Sequence, residues 1–214
     1  MTRVTVIGGS GYAGSHIVEA AAVRGLEVTS VTRKEAPNQI ANVRYTTGSI
    51  TDPADRARVL AESDVVVVAA SPRGDMVDAL RPAIAEFAAE ADAAGVRFGV
   101  VGGAGSLLVR EGGPMAAETP EFGDEYRPEA LTMAGVLEDL RGTPESLDWF
   151  VISPPGDFGP WIAGEFRGEY RVGGDLPVVA ADGSSTIGGA DFGVAVADEI
   201  EQPAHRRARF TVAY

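Results

Sequence analysis

Residues 6–14 read Val-Ile-Gly-Gly-Ser-Gly-Tyr-Ala-Gly, which places glycine at positions 8, 11 and 14. A short β-branched run, Arg3–Ile7, lies directly before them, and an Ala-rich periodic segment, Tyr12–Arg24, directly after. A strand that turns sharply into a helix through glycines at this spacing suits a pyrophosphate. Gly8 permits the tight turn, Gly11 lets backbone approach the anion, and Gly14 lets helix and strand pack closely. The first helical turn then aims unpaired N–H groups and the positive end of its dipole at the phosphates. A tight turn by itself would account for one such glycine but not for three. The pattern predicts a dinucleotide-binding loop.

The second informative stretch follows the next predicted strand, Glu27–Thr32. An acidic residue at the end of that strand would accept a hydrogen bond from an adenosine 2′-hydroxyl and repel a 2′-phosphate. This chain has Thr32-Arg33-Lys34 there, with Glu35 one step further on. Arg33 offers a planar fork to a phosphate and Lys34 adds a point charge. The reading is NADP(H) as the preferred cofactor, with NAD(H) still possible. A solvated basic pair at a strand end is the plain alternative.

These residues need a scaffold that brings strand ends together. Beyond the first two strands, β-branched runs recur at Val43–Thr46, Asp64–Ala70, Arg97–Val101 and Asp148–Ser153, and Arg209–Ala213 forms a closing strand. Helical segments alternate with them: Pro53–Ser63, capped by Asp52 ahead of a first-turn proline; Asp75–Ala94, kinked or broken at Pro82; and Ala190–Glu201. The four consecutive valines at 65–68 leave no polar face, as expected of a strand buried on both sides. Strands separated by helices imply right-handed crossovers. The expected fold is α/β, a Rossmann-type doubly wound parallel sheet. All 214 residues form a single NAD(P)-binding Rossmann domain in this reading, with residues 154–188 making a small substrate-side lobe around an extended piece at Glu169–Gly173. The Gly- and Pro-rich stretch from Gly105 to Glu125 is long enough for a functional loop, and a lid over a second substrate is the expectation.

Composition removes several classes. With 18 basic against 31 acidic residues the net charge is −13, which disfavours nucleic acid and anionic membrane as partners. The absence of cysteine removes disulfides, thiolate catalysis and thiolate metal sites, and two histidines, His16 and His205, leave little for a metal, so none is expected. His16 reads as a packing or capping residue and His205 as solvated. No apolar run approaches the roughly 18 residues that span a bilayer, and no secretory leader pattern opens the chain. A cytoplasmic monomer or homodimer acting on a small molecule is the expectation.

With these residues in view, the chain resembles the atypical short-chain dehydrogenase/reductases, in particular the NAD(P)H-flavin reductase group with its NmrA-like and biliverdin-reductase-B-like NAD(P)-binding relatives. Besides the glycine loop, the resemblance rests on Val100-Val-Gly-Gly-Ala-Gly-Ser106, Pro120-Glu-Phe-Gly-Asp-Glu-Tyr126 and Trp149-Phe-Val-Ile-Ser-Pro-Pro155. Gly168-Glu-Tyr-Arg-Val-Gly-Gly-Asp175 and the terminal Phe210-Thr-Val-Ala-Tyr214 add to it. It spans essentially the whole chain. The resemblance implies that Ser10, Tyr12 and Ala13 line the pyrophosphate, that Ser49 and Ile50 flank the adenine, and that Ala69, Ala70 and Ser71 pass beside the adenosine ribose. It further implies Gly102, Gly103 and Ser106 near the nicotinamide ribose and Ser153, Pro154 and Pro155 against the nicotinamide ring. Relatives often have Asp where this chain has Ser49, which puts the adenine amino contact in doubt.

One expected feature is missing. Many short-chain dehydrogenases pair a tyrosine with a lysine four residues later, so that the tyrosine can protonate an alkoxide. This chain has one lysine, Lys34, and none of its tyrosines (12, 45, 126, 170 and 214) has a lysine at that spacing. Alcohol and ketone chemistry is therefore disfavoured. A flavin or similar conjugated acceptor needs less, because it delocalises incoming charge and solvent can supply the later proton. Ser106 and Tyr126 are the candidate catalytic side chains, Tyr126 as a proton donor steadied by Arg127. Phe122, Phe158 and Trp161, together with Tyr126, are candidates to stack on a flat ring, though each could equally be packing. The function read here is an NADPH-dependent oxidoreductase of flavin-reductase type. The alternatives are an NADP(H)-sensing regulator of NmrA type without turnover and, less favoured for want of a Tyr–Lys pair and a larger lobe, a sugar-nucleotide epimerase or dehydratase.

Overall fold

A computed structural model describes residues 1–162 and 165–214; positions 163 and 164, within the stretch expected to form the lobe, lie outside the described residues. Among the described residues, eight strands form one sheet: β1 (Arg3–Ile7), β2 (Glu27–Thr32), β3 (Val43–Thr47), β4 (Val65–Val68), β5 (Arg97–Val101), β6 (Trp149–Ser153), β7 (Arg171–Gly173) and β8 (Ala208–Ala213). Their spatial order is β3-β2-β1-β4-β5-β6-β8-β7. Every neighbouring pair is parallel except β7 with β8. The helices are α1 (Tyr12–Val23), α2 (Pro53–Ala61), α3 (Leu80–Ala94), α4 (Arg127–Arg141) and α5 (Gly189–Glu201). The first six strands have the doubly wound Rossmann order, and the chain reverses direction across the sheet between β1 and β4.

Strand alternation explains why both faces are apolar. Val66, Val68, Phe98, Val100, Trp149 and Val151 point into a core shared with α2, α3 and α4. Their neighbours Val65, Val67, Phe150 and Ile152 point into a second core shared with α1 and α5. The period-two geometry of a strand therefore turns a run such as Val65–Val68 into two half-cores, each covered by helices. No described helix is long and apolar enough to cross a membrane.

One local expectation needs correction. Asp75–Ala94 is not one helix: a 3-10 turn occupies Gly74–Met76 and α3 begins at Leu80. Pro82 lies in the first turn of α3, where a missing N–H costs no intrahelical bond, so it marks the start of the helix rather than a kink in it. The 105–125 stretch is ordered by local bonds. Two 3-10 turns (Ala104–Ser106 and Ala116–Glu118) and a bridge between Leu108 and Met115 shape it. Arg127 then donates to the carbonyls of Ala117, Thr119 and Phe122. The expected extended piece at Glu169–Gly173 contributes β7, which adds to the main sheet against β8. Asp52 caps α2 as read, accepting from Ala54 N at 2.8 Å with Pro53 in the first turn.

Glycines also set how close α5 comes to α1. A Cβ on Gly193 would fall inside the His16 carbonyl, and one on Gly189 inside the His16 ring. The helices therefore meet nearly backbone to backbone, with Gly189 N donating to Tyr12 Oη at 3.1 Å.

Candidate functional site

The glycine loop leaves β1 and enters α1 with little room to spare. Gly8 has φ +82°, and a Cβ there would lie 2.6 Å from the Ala69 carbonyl oxygen at the end of β4. Its N–H donates to Val31 O at 2.8 Å, which ties the turn to β2. A Cβ on Gly14 would overlap the Gly8 carbonyl, so this glycine is what allows α1 to rest on the loop. Gly11 differs: the nearest protein atom to its would-be Cβ is Gly8 O at 3.3 Å, and the residue is exposed. Gly11 is also the N-cap of α1, and no side chain caps it. The first-turn N–H groups of Tyr12, Ala13 and Gly14 thus face an open mouth without acceptors in the helix. Gly9 is a requirement the spacing did not reveal. A Cβ there would strike Ser30 on β2 and Val18 on α1, so this residue is needed for packing rather than for a ligand.

A cleft of about 290 Å³ opens above the loop at the carboxyl ends of β1, β2 and β4. Gly8, Ser10 and Gly11 form one wall, Ser49 and Ile50 a second, and Ala69, Ala70 and Ser71 a third, with Arg33 at the rim. All of these were expected, and the structure gathers them into one cleft at the point where the strand order reverses. That is where open α/β sheets hold their ligands. Ser49 is held by its backbone N–H, which donates to Asp55 at 2.8 Å. The Arg58 guanidinium and that Ser49 N–H keep the Asp55 carboxyl below the usual carboxylate range. Thr32, Arg73 and Met76 also line the cleft and were missed. Met76 was hidden because residues from 75 onward read as a helix. Lys34 is exposed beside the rim without lining the cleft, and its carbonyl accepts from Thr32 Oγ1 at 2.5 Å.

Arg33 is not idle. Its Nη1 donates to both carboxylate oxygens of Asp75, at 2.5 and 2.6 Å. The guanidinium holds the Asp75 carboxyl below the usual carboxylate range.

The remaining predicted residues separate by role. Gly102 and Gly103 are half-buried at the end of β5, and Ser153, Pro154 and Pro155 are buried at and just beyond the end of β6. These two strand ends lie side by side, because Val101 pairs with Ile152. Ser153 Oγ is buried without a hydrogen-bond partner and sits 3.3 Å from where a Gly102 Cβ would be. Ser106 is buried, its hydroxyl donates to Gly103 O at 2.9 Å, and its carbonyl accepts from buried Arg209 at 3.2 Å. It braces the turn and offers no exposed hydroxyl. Phe122 packs beneath Gly105 and beside the Arg127 guanidinium. Phe158 packs edge-on to Tyr12 at 5.1 Å and against Phe192 at 4.5 Å. Both half-buried rings are therefore engaged in packing contacts. Trp161 is 69% exposed and Tyr126 56% exposed, which leaves both free to meet a ligand. Arg127, spent on loop carbonyls and Asp124, does not steady Tyr126 as expected.

A wider depression, about 640 Å³, opens at the opposite edge of the sheet. Alanines, Leu60 and the mutually satisfied Arg3–Asp64 ion pair line it. Among the described residues that line it there is neither a helix N-terminus nor a free cation to attract a phosphate.

A doubly wound sheet with a glycine-lined turn, an uncapped helix start and a cation at the end of β2 defines a nucleotide-cofactor-binding Rossmann protein. The sequence matches the NAD(P)H-binding family over residues 8–196, and the chain belongs to that family, as an atypical short-chain dehydrogenase/reductase-like member. It is 38% identical to the protein YwnB of Bacillus subtilis (strain 168), over 98% of this chain and 97% of that one. Among solved structures, a Burkholderia pseudomallei protein named "putative exported protein" is 35% identical with a TM-score of 0.86, each chain covered in full. A Streptococcus pneumoniae protein named "putative NADH-flavin reductase" is 30% identical with a TM-score of 0.84, over 100% of this chain and 99% of that one.

Proposed function

We propose that the protein is an NADPH-dependent oxidoreductase that reduces a flat conjugated acceptor of the flavin type. One observation carries the cofactor half of this reading: the cleft has Arg33 at its rim and no acidic residue at the end of β2, so a 2′-phosphate would meet a guanidinium. The glycine cradle fits the rest of the group, because Gly8 and Gly14 let the loop close tightly on the end of β4 and on α1, while Gly11 leaves open the space that a side chain would fill. The N–H groups of residues 12–14 would bind the pyrophosphate, and Ser49, Ile50 and Ala69–Ser71 would flank the adenosine. A reduced nicotinamide supplies two electrons and a hydrogen nucleus when bound.

The chain's own contribution at the acceptor end is positional. The half-buried Gly103 leaves space beside the strand ends, Gly102 lets β5 pack closely on Val151 and Ser153, and the buried Ser153–Pro155 segment excludes water from below. Ser106 is committed to Gly103 and Tyr126 has no lysine neighbour, so neither of these two side chains stands ready as a tuned proton donor. That suits an acceptor whose protonation can follow from solvent, and catalysis here is alignment. The name of the Streptococcus pneumoniae relative agrees with this substrate class.

The test is loss of NADPH absorbance under anaerobic conditions with excess FMN, NADH being run in parallel. Turnover that prefers NADPH is the expected result. Tight NADPH binding without oxidation would overturn the enzymatic reading in favour of a nucleotide sensor.

A further inference from the structure

The Arg33–Asp75 contact bears on the choice between the two nicotinamide cofactors. Asp75 lies on the 3-10 turn Gly74–Met76, between β4 and α3, and reaches across to the end of β2. The turn is fixed at both sides. Met76 is buried and lines the cleft, while Arg73 Nε donates to Glu129 of α4 at 2.6 Å. Asp75 is thus carried by a strap anchored over the point where the strand order reverses. Among the described residues, only Nη1 of Arg33 hydrogen-bonds to protein, and both of its bonds go to Asp75.

We propose that Asp75 is a specificity-determining residue of the cofactor cleft, whose carboxylate competes with a 2′-phosphate for Arg33 and so restrains the preference for NADPH over NADH. The inference rests on the assignment of Arg33 to the 2′-phosphate made above. The physical argument is a charge comparison. A phosphate gripped by Arg33 brings negative charge next to a carboxylate already hydrogen-bonded to the same guanidinium. Either the two anions share the cation in repulsion or the Asp75 contact must open. A neutral 2′-hydroxyl meets no such conflict, and a carboxylate is a suitable acceptor for it. Arg33 thereby favours NADPH while Asp75 acts against it, and the balance between them sets the selectivity.

Dissociation constants for NADPH and NADH, measured by calorimetry on the whole protein, test this with Asp75→Asn and, as a second replacement, Asp75→Ser. Both are expected to tighten NADPH about fivefold, the scale of an exposed charge pair, with NADH unchanged or weakened. In an Arg33→Ala background the same replacements should leave the NADPH:NADH ratio unchanged. A ratio within about twofold of wild type, or an equal shift with and without Arg33, would overturn the inference. Arg33→Ala alone weakening both cofactors equally would instead overturn the underlying assignment of Arg33, so the two failures are distinguishable.

Discussion

At the scale of single residues, the proposed preference for NADPH rests on Arg33, with Asp75 opposing it. Arg33→Ala removes the fork that would hold a 2′-phosphate but touches nothing that an unphosphorylated ribose needs. Charge-assisted hydrogen bonds contribute about 1.5–3 kcal/mol, so NADPH affinity should fall by roughly tenfold or more while NADH affinity moves little. Titrations of both cofactors with the variant check this, and equal losses would refute it. Gly8, Gly11, Gly14 and Arg33 were legible in the sequence because each acts through local backbone or strand-end position, which spacing encodes. Ser106 and Phe122 were legible as residues but not as roles. Their hydroxyl and ring are engaged by Gly103, Arg209 and Gly105, and the partner Arg209 is 103 positions away from Ser106. No reading of neighbours along the chain finds such a partner. Arg127 was misread for a similar reason, since adjacency to Tyr126 in sequence says nothing about which way a helix start aims its guanidinium.

At the scale of elements, glycine spacing matters twice, and only the first instance announces itself. The loop glycines stand between a strand and a helix, a context with known chemistry. Gly189 and Gly193 sit in a helix, where glycine ordinarily only weakens the element. Their purpose is visible once α1 is seen against α5, with the His16 carbonyl occupying the space a Gly193 side chain would need. Gly193→Ala must push α5 away from α1, and since the obstruction is backbone the neighbour cannot rotate aside. Overpacking of this kind costs about 1–3 kcal/mol, and alanine's better helix propensity offsets less than that. A lowered midpoint of urea unfolding is expected. An unchanged or raised midpoint would mean that the two helices separate at no cost. The same replacement at Gly174, where a Cβ would meet nothing within 4 Å, is a control for any glycine-to-alanine effect outside this helix pair. Pro82 carries a related lesson. A proline inside an apolar periodic run reads as a kink or a break, and here the run is broken: the preceding residues are held in the Asp75 turn and the helix starts late enough to accommodate the proline.

At the scale of the whole molecule, the two edges of the sheet have separate tasks. The carboxyl edge carries the glycine loop and the cleft. The opposite edge carries a buried charge network centred on Arg97 at the start of β5. Arg97 donates to Glu199 Oε1 at 2.5 Å and to the Glu199 carbonyl at 2.6 Å, and both side chains are buried. Glu199 also accepts from His205 N at 3.0 Å, and its other oxygen lies 2.7 Å from His205 Nδ1. His205, expected to be solvated, instead stacks on Phe210 with ring centroids 4.0 Å apart. This cluster joins β5, α5 and the segment leading into β8, which are distant in sequence and must meet for the sheet to close. Glu199→Ala leaves the buried Arg97 cation with Asp148 alone, 3.4 Å from its Nε, and the loss of the buried partner costs up to about 3–5 kcal/mol. Replacing Arg97 by Met in the same chain removes the under-compensated charge and should recover much of that loss. Because Arg97 pairs with Val65 at the start of β4 and the cleft lies beyond Val68 at its other end, NADPH affinity should stay within about twofold of wild type. Urea unfolding and cofactor titration on the single and double variants measure the two quantities independently. A cofactor affinity that falls in step with stability would show that the edges are coupled through the strands, and the division of tasks would have to be abandoned.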